Sequence, residues 1–214
     1  MRPIRHLSIC VIALVALLAG SAWADSTPVN MHYLGNNDGT YPWFFDVNGV
    51  PVTLMCDAHD YHVSRGETWQ ANVTNILSGQ GLFKNQKNSM LYYEAAAVLY
   101  SDVLFHGANA KDANWAIWAL FSNSARHNPN FNEDAHDLYY AALALAPKLP
   151  KSFFAPYMLY TPIPGTQHCP PGKACGLPQE FIGYNPVPEP GTLTLLGTGL
   201  LALAAALRWK LARS

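Results

Sequence analysis

The sequence predicts an α+β protein: one globular domain of strands, then three helices, then short strands, followed by a C-terminal transmembrane helix. Three observations carry this expectation. Residues 43–74 read as strands, broken by turns at Asn48-Gly49 and Arg65-Gly66. Residues 90–146 change to helical period and are rich in Ala, Leu and Tyr. Residues 191–207 form an uninterrupted apolar run. Strand runs kept apart from helix runs point to α+β rather than to a parallel α/β sheet.

Taken in order, residues 1–24 have the parts of a secretory signal. Arg2, Arg5 and His6 form a basic start, residues 7–20 an apolar core, and Ser21-Ala22-Trp23-Ala24 ends in an Ala-x-Ala site. Cleavage is expected between Ala24 and Asp25; the alternative is an uncleaved N-terminal anchor. The exported domain is then 25–186, a length suited to one domain. The whole chain has 13 Lys and Arg against 14 Asp and Glu, a formal net charge of −1. The exported part is aromatic-rich and lightly charged, and its cations are spread out. Without a basic cluster, a nucleic-acid partner is excluded.

Residues 25–49 open with turn formers. Asn48-Gly49 sits between 43–47 and 50–56, a hairpin signal, and the second strand is expected to carry through Asp57. Residues 63–74 read as a turn and then an alternating strand. The first helix spans 90–105 with Ser89 as N-cap. Leu91, Ala95, Val98, Leu99 and Asp102 lie along one side of it. The second helix covers 111–122, with Trp115, Trp118 and Phe121 as an aromatic stripe. The third follows a capping box at Asn130 and Glu133 and runs to Ala146, stopped by Pro147. Residues 157–160 and 180–182 are short extended pieces.

Cys10 leaves with the signal. Cys169 and Cys175 flank a loop that Pro170, Pro171 and Gly172 can fold back, and export permits disulfides, so these two are expected to pair. Cys56 is left as a free thiol, either buried and inert or reactive.

The tail, 187–214, combines Val187, Pro188, Glu189 and Pro190, the apolar run 191–207, and a basic end 208–214 with Arg208, Lys210 and Arg213. At about 1.5 Å per residue the run spans roughly 25 Å as a helix, near the thickness of a hydrocarbon core. Cations only after the run place the C-terminus in the cytoplasm and the domain outside. A buried core helix is the alternative, and it explains neither the proline motif nor the basic end. These features together resemble the PEP-CTERM sorting signal of Gram-negative bacteria. The resemblance implies export and an inner-membrane anchor, then processing by exosortase, a membrane transpeptidase. It also implies delivery to the cell surface or outside, and a link to exopolysaccharide or biofilm.

A second resemblance covers roughly 47–121. Cys56-Asp57, Gly66-Glu67-Thr68-Trp69, Tyr93-Glu94-Ala95-Ala96 and Ala113-Asn114-Trp115-Ala116-Ile117-Trp118 are similar to the thioester (TQxA) domain of bacterial surface adhesins. That family joins a strand cysteine to a helix glutamine as an amine-reactive thioester. Here Asn114 stands where the family has glutamine, shorter by about 1.5 Å. The resemblance therefore implies a thioester-domain-like scaffold without the bond, with Cys56 and Asn114 as inactive positions.

Residues 56–62 concentrate Cys, Asp and His side chains, but a single extended segment divides them between two faces, and no second pair accompanies them. No metal or other cofactor is expected. Catalytic sequence motifs are missing. The reading is a non-enzymatic cell-surface or matrix protein with a structural or adhesive role. Two alternatives remain. One is an enzyme on cell-surface polysaccharide, which needs Asp57, Asp60, Glu67 or Glu94 to converge. The other is a reactive thioester adhesin.

Overall fold

The computed structural model describes residues 28–173 and 175–185. It corrects the expected fold class. The thioester-domain-like α+β plan gives way to a closed antiparallel β-barrel, with strand order β1-β2-β3-β6-β5-β4 and β4 returning to β1. The strands are β1 (Val29–Asn37), β2 (Thr40–Val47), β3 (Val50–Cys56), β4 (Thr68–Asn75), β5 (Tyr157–Pro162) and β6 (Phe181–Tyr184). The helices α1 (Ser89–Phe105), α2 (Ala110–Phe121), α3 (Asn123–Arg126), α4 (Glu133–Leu145) and α5 (Lys151–Phe154) all lie between β4 and β5 in sequence. Those two strands pair over Ala71↔Pro162 to Asn75↔Met158, so the helices are an insertion between neighbouring staves. Among the described residues no helix is long and apolar enough to cross a membrane. The run 191–207, the signal 1–24 and the motif 187–190 lie outside the described residues.

The barrel closes because its strands alternate. On β2, Trp43, Phe45 and Val47 point inward while Phe44 points out; on β4, Trp69 and Ala71 point inward between Gln70 and Asn72. Phe45 meets Phe181 at 4.6 Å between ring centroids and Trp69 edge-on at 5.9 Å. These rings fill the barrel with Met31, Tyr33 and Leu54. Asn48 (φ 52°) and Gly49 (φ 84°) make the β2–β3 turn, and Asp38 (φ 51°) and Gly39 (φ 76°) make an equivalent β1–β2 turn. β1 itself was not expected, and β3 stops at Cys56 rather than Asp57.

A second core lies between the helices and the barrel, around Tyr93, Leu99, Tyr100, Ile117, Leu120, Phe154 and Tyr157. The expected one-sided stripe on the first helix is too narrow: every residue from Tyr93 to Ser101 is buried. α1 packs against α2 and α4, which cover it together. Its cap position is Asn88, in the left-handed region, and Ser89 Oγ instead donates to the Lys84 carbonyl at 3.2 Å. The third helix is capped by Asn132 rather than Asn130: Asn132 Oδ1 accepts from Ala135 N at 2.9 Å, and its amide donates to Asp112 on α2 at 3.0 Å. Because Asn132 both caps α4 and ties it to α2, Asn132→Ala should lower the unfolding free energy by about 1–2 kcal/mol. Urea denaturation followed by far-UV circular dichroism reads this out; an unchanged midpoint would remove the cap from the account.

Gly81 marks a close approach. A Cβ there would stand 2.1 Å from the Tyr93 hydroxyl and 2.9 Å from Leu159 Cδ1, both inside the fold. Gly81→Ala therefore has no room without moving Tyr93, and should cost about 1–3 kcal/mol by overpacking.

Candidate functional site

The C-terminal end of β3 and the first turns of α2 meet beside β2, and the residues there form the floor of an open cleft. Asn109 starts α2 by accepting from the Lys111 and Asp112 amides, which sets the rotation that turns Asn114 and Trp118 toward β3. Asn114 is fully buried, and both polar atoms of its amide are hydrogen-bonded. Its Oδ1 accepts from Tyr41 N (2.9 Å) and Trp43 Nε1 (3.4 Å), and its Nδ2 donates to the Cys56 carbonyl (2.8 Å). One amide thus clamps β2, β3 and α2 together. The partner of the Cys56 sulfur is Trp118 Nε1 at 3.4 Å.

Cys56 and Asn114 are therefore neighbours, but the asparagine amide faces the cysteine backbone and the thiol faces the indole. Burial pushes the Cys56 thiol up, and the adjacent Asp57 charge pushes it further. A buried thiol of raised pKa is a poor nucleophile. It should react with a disulfide reagent only after denaturation, and the intact mass of the exported domain should equal its sequence mass less the two hydrogens of the Cys169–Cys175 disulfide. A deficit of about 17 Da, the ammonia lost in acyl transfer from an amide, that disappears in Cys56→Ala would overturn this assignment.

Above this floor lies a cleft of about 380 Å³ lined by Trp43, Trp115, Trp118, His59 and Gln179, with Asp38, Lys111, His62 and Asn130 at its exposed rim. Trp115 and Trp118 meet edge-on at 4.9 Å, and the His59 ring lies 5.3 and 5.2 Å from them. The three indoles are largely buried, so only a small part of each reaches the cleft. Gln179 Nε2 donates to the Ala58 carbonyl at 3.0 Å, while its Oε1 is buried without a partner. Sequence reading placed Trp115 and Trp118 in a helical aromatic stripe and Trp43 on a hairpin strand. It missed Gln179 and the rim, where turns and loops distant in the chain (Asp38, His62, Asn130) meet Lys111 at the start of α2.

The carboxylates named as alternatives do not form one site. Glu94 pairs with Lys151. Glu67 is buried and accepts from Ser64 N. Asp60 accepts from Ser124 Oγ beside His59. Burial opposes ionisation of Asp60, yet hydrogen bonds from Ser124 and Ser122 and the contact with His59 bring its pKa below the ordinary carboxylate value. Ser124 and Asp60 both approach His59 through Nδ1, at 3.2 and 3.3 Å. The imidazole does not bridge them, so the trio lacks the relay geometry of a hydrolase triad. Among the described residues no group of three or more His, Cys, Asp or Glu is placed to hold a metal ion.

Asp57 belongs to a different cluster, sealed inside the fold with Glu180. Glu180 Oε1 accepts from the Tyr93 hydroxyl at 2.6 Å, and Oε2 accepts from Leu82 N at 2.7 Å and from the Thr161 hydroxyl. Among the described residues no donor from the rest of the fold reaches either oxygen of Asp57, whose carboxyl lies against that of Glu180. Burial, and then the Glu180 charge, raise Asp57 well above the carboxylate range; burial raises Glu180 too, against its three donors. The three donors favour the charged form of Glu180, and Asp57, without them, is the carboxyl of the pair that burial shifts further.

Cys169 and Cys175 are joined as a disulfide, with Cα atoms 5.8 Å apart. Its loop runs beside β4, where His168 and Thr68 exchange backbone hydrogen bonds of 2.7 and 3.1 Å. Ala24, Asp25, Val187, Pro188, Glu189 and Pro190 lie outside the described residues.

A closed barrel with a clefted helical insertion does not by itself define a protein class; the tail does. A family model for the PEP-CTERM protein-sorting motif matches residues 186–208. No curated protein matches the chain, and neither does any solved structure. The chain carries a PEP-CTERM sorting motif: it is exported, anchored through its C-terminus before processing by an exosortase-type membrane enzyme, and destined for the cell surface or beyond.

Proposed function

We propose that the exported domain is a non-enzymatic, adhesive component of the cell surface that holds matrix exopolysaccharide in the cleft beside α2. The observation that carries this reading is the composition of that cleft: the indoles of Trp43, Trp115 and Trp118 on its inner wall and exposed Asp38, Lys111, His62 and Asn130 around its mouth. A sugar ring offers C–H faces to aromatic surface and hydroxyls to a polar rim, and needs both. The volume, about 380 Å³, is enough for a short stretch of polysaccharide. Dispersal of Asp57, Asp60, Glu67 and Glu94 among separate networks favours binding over hydrolysis, because glycoside hydrolysis needs two carboxylates facing one bond.

The test is binding of the processed protein to exopolysaccharide isolated from the producing cells, with an unrelated polysaccharide as control. The triple variant Lys111→Ala, His62→Ala, Asn130→Ala leaves the buried tryptophans in place. It should weaken binding about tenfold, equivalent to about 1.4 kcal/mol, without shifting the unfolding midpoint by more than a degree or two. Wild-type affinity in the triple variant would end the reading, and release of reducing ends from the polysaccharide would replace it with an enzyme.

A further inference from the structure

The point where the chain leaves the barrel is built from aromatic side chains, two of them open to solvent. Tyr184 ends β6 and is 36% exposed; Phe105 ends α1 and is 56% exposed. Their rings meet edge-on at 5.1 Å. Behind them Tyr157 lies 5.3 Å from Tyr184, and Phe153 lies 5.8 Å from Tyr157. Asn185 N donates to the Pro156 carbonyl at 2.8 Å, which fixes the direction of exit against the start of β5. This is a rigid apolar edge, backed by the core.

What covers it follows from the length of chain beyond it. The apolar run begins at Gly191, six residues after Asn185. Even fully extended, six residues reach no more than about 20 Å. A domain of this size has a radius of gyration of about 15 Å and is roughly 40 Å across. While the C-terminus is anchored, the tether is shorter than the domain is wide. The exit end must then face the bilayer, and Phe105 and Tyr184 are at that end. Aromatic rings with one apolar and one wet side favour the headgroup layer.

We propose that Phe105 and Tyr184 form an aromatic foot that rests in the lipid headgroups while the precursor is anchored, and that is uncovered when the tail is removed. The inference rests on C-terminal anchoring and is independent of what the cleft binds. The foot would hold the domain in one orientation and keep residues 186–190 at the membrane surface, where a membrane enzyme works.

The test uses the full chain, anchored in vesicles of phosphatidylethanolamine and phosphatidylglycerol. Phe105→Cys, in a Cys10→Ser background, is labelled with an environment-sensitive dye; buried Cys56 and the joined Cys169 and Cys175 do not compete in the native state. Tyr140→Cys on α4, a site 57% exposed in the wild type, is the control. Spin-labelled lipids should quench the dye at 105 at least threefold more than at 140, and cleaving the tail should abolish the difference. Equal quenching at both sites would overturn the proposal. So would a blue-shifted dye at 105 that lipid does not quench, since that edge would then be covered by protein.

Discussion

Glu180→Ala should cost the domain about 3–5 kcal/mol, enough to unfold much of the population at 37 °C. The substitution removes the acceptor for Tyr93 Oη, Leu82 N and Thr161 Oγ1 together, leaving the first unpaired in a buried site and the other two in part-buried ones. Asp57→Asn should do the opposite. Burial and the Glu180 charge hold Asp57 well above the ordinary carboxylate range, and asparagine supplies a neutral group of the same shape with no charge to bury. The sign of the pH dependence is fixed by the direction of both shifts. Asp57 and Glu180 ionise at higher pH in the folded chain than in the unfolded one, so the folded state holds more protons. Their contribution is fully present below the ordinary carboxylate pKa of about 4 and is lost as pH rises through the folded values. Unfolding free energy should therefore fall between pH 4 and pH 7 in the wild type, and Asp57→Asn should flatten that slope. Urea titrations at four pH values decide it: a wild type whose stability rises over this interval would mean that the pair is ionised in the folded chain.

The pair also shows why the fold was only partly legible. Local signals worked where the structure is local. Asn48-Gly49 marked a hairpin because few sequences satisfy two successive positive φ angles, and α2 was plain from its period. What failed was closure. Nothing near Thr68–Asn75 announces that it will pair with both Val29–His32 and Tyr157–Pro162. A strand that completes a barrel looks like one that ends a sheet. β1 was hidden by Gly35, where its register shifts, and by Asn36 and Asn37, which read as loop. Asp38-Gly39 was the available hairpin signal. The cap errors were of one kind: Asn88 and Asn132 sit beside other good capping residues, and tertiary ties such as Asn132 to Asp112 decided between them. Cys56 and Asn114 were found through a family pattern, and the structure makes them neighbours. That their contact is amide to backbone, with the thiol turned to Trp118, depends on angles no sequence carries. Asp57 and Glu180 are separated by the whole helical insertion, and Gln179, beside Glu180, had no signal at all.

The largest effect expected from any change is at the sorting motif. Pro188→Ala combined with Glu189→Ala should leave the precursor anchored, with its C-terminus intact. Proline lacks an amide donor and disfavours helix at its own position and the one before it, so Pro188 and Pro190 separate the barrel from the apolar run with chain that a membrane enzyme can take up extended. Glu189 is the only charged residue between Glu180 and Arg208. Shape and charge therefore coincide at one place in the approach to the membrane, and the double variant removes half of the first and all of the second. Processing should slow at least tenfold, a rise of about 1.4 kcal/mol or more in the barrier. With an exosortase present, a C-terminal epitope on the wild type should be lost and the domain should leave the inner-membrane fraction. Without the enzyme, or in the double variant, epitope and domain should stay together in that fraction. Phe105→Ser with Tyr184→Ser separates recognition from presentation: it keeps the motif, weakens contact with the headgroups, and should slow processing by a smaller factor, about two- to fivefold on the loss of part of a positioning advantage. A double variant at 188 and 189 processed at the wild-type rate would reduce the motif to a linker, and the cut would then have to be set by the apolar run or the basic end that follows.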